Sequence, residues 1–273
     1  MVFYMIGLGL GDEKDITVKG LEIIKSCDEI YLEHYTSILG VEKEKLENFY
    51  GRQLIMADRE MCEEGIDKIL EDLSKIPEKN IAFLVVGDPF CATTHSDTYL
   101  RAIELGIKVE VIHNASIINA IGSTGMQVYR FGEIVSIPFY TEKWRPYSFY
   151  DKISANIKHG LHTLCLLDIR VKERTDENIL KNKKIYEPPK YMSCQVAIEQ
   201  ILEAESVNKT GSVNKNTKCV AVARVGFSNQ LIKAGTLEEF LTYDMGGPLH
   251  SLVICANELH PIENDMFKYF SKK

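Results

Sequence analysis

The first 112 residues alternate between short apolar runs and amphipathic stretches. The run 81–86 is rich in β-branched residues and is followed by a turn and by a polar cluster, 93–97, which we expect to cap a helix reaching about residue 105. The same order recurs and predicts strands at 1–6, 29–32, 53–56, 81–86 and 108–112, with helices at 17–26, 61–75 and 93–105. Such alternation is typical of a largely parallel α/β sheet.

The pattern changes at residue 113, where a polar stretch begins. We therefore predict two α/β domains, 1–112 and 113–273. A helix capped by Asn114 or Ser116 is expected to open the second domain. The predicted elements of that domain are helices at 117–122 and 192–205, strands at 162–167, 219–226 and 251–255, and a surface loop at 206–218.

Two of the predicted strand-end loops contain a glycine followed by an aspartate, at Gly11-Asp12 and at Gly87-Asp88. Ligands of open α/β sheets bind at the carboxyl ends of the strands. Asp88 is therefore a candidate ligand contact. The alternative is an aspartate that only closes a turn.

The glycine loop 7–12 matches no common phosphate-binding motif. The dinucleotide fingerprint requires a glycine where Asp12 stands, and a Walker loop requires a lysine directly after Gly11. The usual methyltransferase loop has an acidic residue two positions before its first glycine, where this chain has Met5. Because carboxylates repel anions, a ligand with hydroxyls or positive charge, such as S-adenosylmethionine, suits these loops better than a phosphate.

Composition narrows the function classes further. The 273 residues are 45% hydrophobic and carry a formal net charge of −7, which argues against nucleic acid as a partner. No apolar stretch is long enough to cross a membrane and the amino terminus lacks a basic leader, so we expect a cytoplasmic protein. Seven scattered cysteines indicate reduced thiols, and His159 and His162 lack a further ligand, so no metal is expected.

Several longer motifs resemble those of the diphthine synthases. They are GLGLGD at 7–12, VVGDPF at 85–90, ATTH at 92–95, HNASI at 113–117, LLD at 166–168, YEPP at 186–189 and PLHSL at 248–252. The resemblance runs from end to end. It implies two α/β domains of the tetrapyrrole methylase type, with S-adenosylmethionine in the cleft between them, and a homodimer.

The resemblance also implies a substrate. The family methylates the amino group of a 3-amino-3-carboxypropyl chain on a histidine of elongation factor 2, on the way to diphthamide. Archaeal members stop at the trimethylammonium, and eukaryotic ones add a fourth methyl as a carboxylate ester. Residues 15–21 and the loop 206–218 resemble the eukaryotic form, so we expect the methyl ester. The alternatives are trimethylation only, a tetrapyrrole or ribosomal RNA substrate, or a non-catalytic cofactor-binding protein of translation.

Carried over by position, the resemblance implies eight cofactor contacts: Leu10, Asp88, Cys91, Ser116, Ile117, Leu167, Val225 and His250. Cys91 departs from the family, which often has glycine there, so a contact at this position is expected from the backbone. For His250 the alternative is a core histidine held by backbone groups. The sequence assigns no catalytic base.

Overall fold

The computed structural model describes residues 1–34, 39–171, 178 and 185–272, the side chains of residues 63 and 64 excepted. The chain divides into two compact units. The first contains Met1–Ile118 and Arg170–Pro189, and the second contains Asn119–Ile169 and Lys190–Lys273. The first unit thus includes 113–118 and a later segment that the predicted domain 1–112 leaves out. The boundary after residue 112, and the cleft predicted between the domains, stay predictions.

The elements of the first unit follow the predicted alternation. In chain order they are β1 (Val2–Gly7), α1 (Val18–Ser26), β2 (Glu29–Glu33), α2 (Lys43–Tyr50), β3 (Ile55–Ala57), a π-helical turn (Met61–Gly65), α3 (Ile66–Ser74), β4 (Asn80–Val85), α4 (His95–Glu104) and β5 (Lys108–Ile112), and the short helix α5 (Ile117–Ala120) begins at the end of this segment. The helix α2 lies in a stretch for which the sequence analysis predicted no element.

The second unit contains more elements than its sequence pattern predicted. They are two 3₁₀ turns (Ile121–Thr124 and Val128–Arg130), β6 (Val135–Ile137), α6 (Ser148–Lys158), β7 (Thr163–Leu167), β8 (beginning at Ile169), β9 (Lys190–Tyr191), α7 (Cys194–Asn208), β10 (Lys218–Ala223), β11 (Leu231–Thr236), α8 (Leu237–Phe240), β12 (His250–Ile254) and α9 (Pro261–Lys272). The strand predicted at 219–226 ends at Ala223, because Arg224 adopts a left-handed backbone with φ of 52°.

The sheet of the first unit has the strand order β3-β2-β4-β1-β5, and all its pairings are parallel, which confirms the predicted parallel sheet. Side chains of β1 and β4 alternate between two buried layers, Phe3 and Phe83 in one and Ile6 and Leu84 in the other. Both faces are therefore covered, as the unbroken apolar run 81–86 predicts. β1 lies between β4 and β5, so the carboxyl ends of these three strands share one edge.

The sheet of the second unit has the order β11-β10-β12-β7-β6. Its pairings are antiparallel except for β6 with β7. The helices α6, α7 and α8 cover it with buried side chains that include Tyr150, Ile198 and Phe240. Among the described residues, no helix is long and apolar enough to span a bilayer.

The predicted caps had different outcomes. The prediction that residues 93–97 cap α4 is wrong, because its N-cap Thr94 makes no side-chain capping bond. The hydroxyl of Thr93 instead donates to the carbonyl of Pro89, and this closes the preceding turn. For α5, the Ser116 hydroxyl accepts a hydrogen bond from the backbone N–H of Ile118 at 3.2 Å, so Ser116 is the cap of the two alternatives.

A buried carboxylate attaches α9 to the rest of the second unit. Glu263 is 0% exposed and accepts hydrogen bonds from the backbone N–H of Gln127 at 3.0 Å, from His162 Nε2 at 3.1 Å, and from the Arg130 guanidinium. Nδ1 of His162 accepts a hydrogen bond from the Ala256 N–H, and burial lowers the pKa of His162. The imidazole is therefore neutral and donates through Nε2.

We predict that Glu263→Ala destabilises the protein by roughly 3 kcal/mol, since it leaves Arg130 and His162 without their buried acceptor. Burial alone raises the pKa of Glu263, but the hydrogen bonds from Gln127, His260 and His162 outweigh it and the net pKa lies below 4.5. The stabilisation is therefore present above pH 4.5 and is lost as pH falls through the lower folded-state value.

Urea unfolding followed by the fluorescence of Trp144 tests this prediction. Asp265→Ala, an exposed site on the same helix, is the control and should change stability by less than about 0.5 kcal/mol. Equal stability of the Glu263→Ala protein and the wild type at pH 7 would contradict the prediction.

Candidate functional site

Three loops meet at the carboxyl edge of the first sheet. The loops after β1 and β4 exchange backbone hydrogen bonds between Gly9 and Gly87, at 3.2 and 2.7 Å. The loop after β5 joins them through Asn114, whose Nδ2 donates to the carbonyls of Gly7 and Asp15, both at 2.9 Å. The junction thus combines segments that are more than a hundred positions apart in the sequence.

Close approach of these loops requires glycine at position 7. A Cβ placed on Gly7 would lie 2.6 Å from the carbonyl oxygen of Gly87 and 2.9 Å from Cβ of Asn114. Gly9 and Gly87 both have φ of 78°, in the region that favours glycine. The glycines of the GLGLGD and VVGDPF motifs therefore shape a cradle of backbone.

Asp88 connects the loops after β4 and β5. The residue is 5% exposed. Its Oδ1 accepts the N–H of Phe90 at 3.0 Å, and its Oδ2 accepts the N–H of Asn114 at 3.1 Å and Nδ1 of His113 at 2.8 Å. Burial by itself raises the pKa of Asp88, but these hydrogen bonds lower it below its ordinary value. Asp88 is thus an ionised carboxylate that organises two loops, and its predicted cofactor contact stays a prediction.

The other predicted residues of the first unit lie at the same edge. Leu10 lies in the loop after β1 and donates its N–H to Asp15 Oδ2 at 3.3 Å. Cys91 is a half-buried free thiol whose N–H donates to the carbonyl of Asp88 at 3.2 Å. Ser116 and Ile117 cap and open α5.

In the second unit, Leu167, Val225 and His250 also lie at one sheet edge. Leu167 ends β7, Val225 comes directly after the Arg224 that follows β10, and His250 begins β12. Because β12 is antiparallel to both neighbours, its first residue lies beside their last ones, and His250 pairs with Ala223. The structure therefore brings five of the eight predicted residues to one edge and three to another.

The His250 ring is held by backbone groups. Its Nδ1 accepts the N–H of Cys194 at 3.3 Å, while Nε2 donates to the carbonyls of Gly246 and Gly247 at 3.1 and 3.0 Å. Burial lowers the pKa of His250, so the ring is neutral. This is the bonding of the core-histidine alternative, and a ligand contact at this position would use the backbone or the ring face.

Arg224 organises the edge of the second sheet and was missed by the sequence analysis. Its guanidinium donates to the carbonyls of Asn229 at 3.2 Å, Met245 at 3.0 Å and Gly247. It therefore connects the turn that contains Val225 to the loop before His250. No pattern distinguishes this arginine within an apolar run, since its role depends on a left-handed backbone.

The chemistry of the first edge fits a sulfonium cofactor better than a phosphate. The side chains that hydrogen-bond between the loops are the Asp88 carboxylate, the Asn114 amide and the His113 imidazole, and the Asp15 carboxylate accepts hydrogen bonds within its own loop. Carboxylates attract an ammonium or sulfonium charge and accept hydrogen bonds from ribose hydroxyls. No cluster of three His, Cys, Asp or Glu with metal-ligand geometry occurs in the described part of the chain.

Comparisons with known proteins give a consistent result. Residues 2–241 match the family model of the tetrapyrrole (corrin/porphyrin) methylases. The chain is 56% identical to diphthine methyl ester synthase of Bos taurus over 99% of this chain and 95% of that one. It is 55% identical to the Homo sapiens enzyme of that name, over 99% and 95%. A crystal structure of an Entamoeba histolytica protein assigned as a diphthine synthase is 48% identical, with a TM-score of 0.86 over 98% of both chains.

We predict that Gly7→Ala destabilises the first unit by about 1–3 kcal/mol, because the new methyl group collides with the backbone of Gly87. The same substitution should also weaken the binding of S-adenosylmethionine, measured by calorimetry. Gly65→Ala is the matched control, since its Cβ would meet no atom closer than 3.5 Å. A Gly7→Ala protein as stable as Gly65→Ala would show that the loops do not need this approach.

Proposed function

Since the chain belongs to the tetrapyrrole methylase family, as its motifs predicted, we propose that it transfers methyl groups from S-adenosylmethionine to the 3-amino-3-carboxypropyl-histidine of elongation factor 2 and forms diphthine methyl ester. The observation that carries this proposal is similarity over 99% of the chain to relatives named diphthine methyl ester synthase. The chain is a methyltransferase of diphthamide biosynthesis, and the resemblance to diphthine synthases is confirmed.

The product is the methyl ester, formed by four methylations. The two relatives compared above have names that specify the ester. The features that favour the eukaryotic form in the sequence, residues 15–21 and the loop 206–218, support the same product. Trimethylation alone is the second outcome that the experiment below separates.

The cofactor is held by the residues of the two edges. In the first unit these are Leu10, Asp88, Cys91, Ser116 and Ile117, and in the second unit Leu167, Val225 and His250. When bound, S-adenosylmethionine supplies a methyl group on a good leaving group, so the protein mainly has to position and desolvate the reactants. Asp88 has room for one more hydrogen bond at Oδ1, which accepts only the Phe90 N–H among the bonds described above. A ribose hydroxyl or the cofactor ammonium suits this oxygen.

The cellular context belongs to the same proposal. The protein acts on elongation factor 2 in the cytoplasm and works as a homodimer. The acidic net charge of −7 supports a protein substrate over ribosomal RNA, which a basic surface would attract.

Mass spectrometry of elongation factor 2 after reaction tests the proposal. We predict that a factor bearing the unmethylated side chain gains four methyl groups, and that mild alkali removes one of them because only the ester hydrolyses. A factor whose target histidine is replaced by alanine is the control and should gain none.

Three alkali-stable methyl groups would refute the ester and leave trimethylation. No added methyl group despite measurable cofactor binding would instead favour the non-catalytic binding protein.

A further inference from the structure

The proposed reaction contains two kinds of methyl transfer with different proton requirements. Each of the three transfers to nitrogen starts from an ammonium, which must lose a proton before its electron pair can attack a methyl group. The transfer to the carboxylate needs no such step, because that nucleophile is already an anion at neutral pH. A proton acceptor is therefore required for the first kind of transfer only, and a protein base that supplies it affects only those transfers. This distinction rests on the proposed function.

His113 directly follows β5, at the edge where Leu10, Cys91 and Ser116 lie. Its Nδ1 is 2.8 Å from Oδ2 of Asp88. The pKa of Asp88 is lowered and an ionised carboxylate only accepts hydrogen bonds, so the ring hydrogen-bonds it with the proton on Nδ1. In the tautomer with its single proton there, Nε2 has a free electron pair. The carboxylate thus fixes the tautomer of the imidazole, as it does in a hydrolase triad.

The imidazole of His113 is exposed and the carboxylate of Asp88 is buried, as expected for a base that meets a substrate and for the partner that holds it. The His113 side chain is 70% exposed, while that of Asp88 is 6% exposed. A substrate chain carried by another protein can reach Nε2, and a proton taken up there can pass to water. The buried carboxylate stabilises the imidazolium that forms.

His95 at the start of α4 and His250 at the start of β12 do not have this arrangement. His95 is 2% exposed and its Nδ1 is 3.0 Å from the carbonyl of Pro89. His250 uses both ring nitrogens in bonds to the backbone. Neither imidazole presents a nitrogen to an incoming amine, which separates them from His113.

We propose that His113 is the general base that deprotonates the substrate ammonium through Nε2, and that Asp88 is its positioning residue. In each cycle the N–H bond of the ammonium breaks, an Nε2–H bond forms, and the electron pair remains on the substrate nitrogen for methyl transfer. His113 then releases its proton to water before the next transfer to nitrogen. The carboxylate methylation proceeds without it.

The test compares His113→Asn with the wild type on two forms of elongation factor 2, unmethylated and trimethylated. Asn keeps a donor near the position of Nδ1 but has no basic nitrogen. We expect methylation of the amine to slow by about 10²–10⁴-fold, while ester formation on the trimethylated factor and cofactor affinity by calorimetry stay at the wild-type level. His159→Asn, an exposed histidine of the second unit, is the control and should leave both steps unchanged.

Two further readouts do not depend on ester formation. Nitrogen NMR of the free wild type should show His113 protonated at Nδ1 and not at Nε2, with this preference lost in Asp88→Asn. Added imidazole should restore amine methylation to His113→Ala.

Equal slowing of both methylations in His113→Asn, or amine methylation at the wild-type rate, would overturn the role of His113. A proton on Nε2 of the free wild type would overturn it as well. A wild type that forms no ester refutes the four-methyl product, and amine methylation together with the imidazole rescue then decides the role of His113. A wild type that adds no methyl group refutes the proposed function, and the NMR result alone then decides the tautomer.

Discussion

The carboxylate of Asp88 is the interaction on which the carboxyl edge of the first sheet depends. A buried carboxylate is costly unless hydrogen bonds compensate it, and here donors from both sides of β1 do so: Phe90 from its own loop, and Asn114 and His113 from the loop after β5. The same carboxylate holds two backbone turns and lies 2.8 Å from Nδ1 of one imidazole. The shape of both loops therefore depends on one side chain, and the proposed cofactor contact and proton transfer depend on the same carboxylate.

Much of the first unit was predictable because its signals are local. A β-branched apolar run predicts a strand buried on both faces, and a glycine next to an aspartate at the strand end predicts a ligand loop. The partners of Asp88 were not predictable in this way. His113 is 25 positions away and reaches the carboxylate only because β1 lies between β4 and β5. The predicted cap at residues 93–97 is wrong for a related reason. Local sequence does not determine whether the hydroxyl of a residue such as Thr93 bonds a helix N–H or a turn carbonyl.

Prediction of the second unit depended more on the family resemblance than on the pattern of apolar and polar residues. β6 has only three residues, and α9 is attached by a contact between His162 and Glu263, 101 positions apart, which no short window contains. Leu167, Val225 and His250 were carried over by position from the family resemblance, and the antiparallel register of β12 explains why residues so far apart in sequence share an edge. Two sheets of different topology thus each present their predicted residues at a single edge.

Hydrogen exchange of the whole chain, measured by mass spectrometry with and without S-adenosylmethionine, tests most directly the proposal that the eight residues at these two edges bind the cofactor. We predict slower exchange in peptides that cover 7–15, 86–94 and 113–118, together with those that cover 166–168, 224–227 and 245–250. The helix α3 contains none of the eight predicted residues, so the exchange rate of its peptides should be unchanged. If the cofactor slowed exchange only in other segments and left these six unchanged, the proposed binding residues would be wrong.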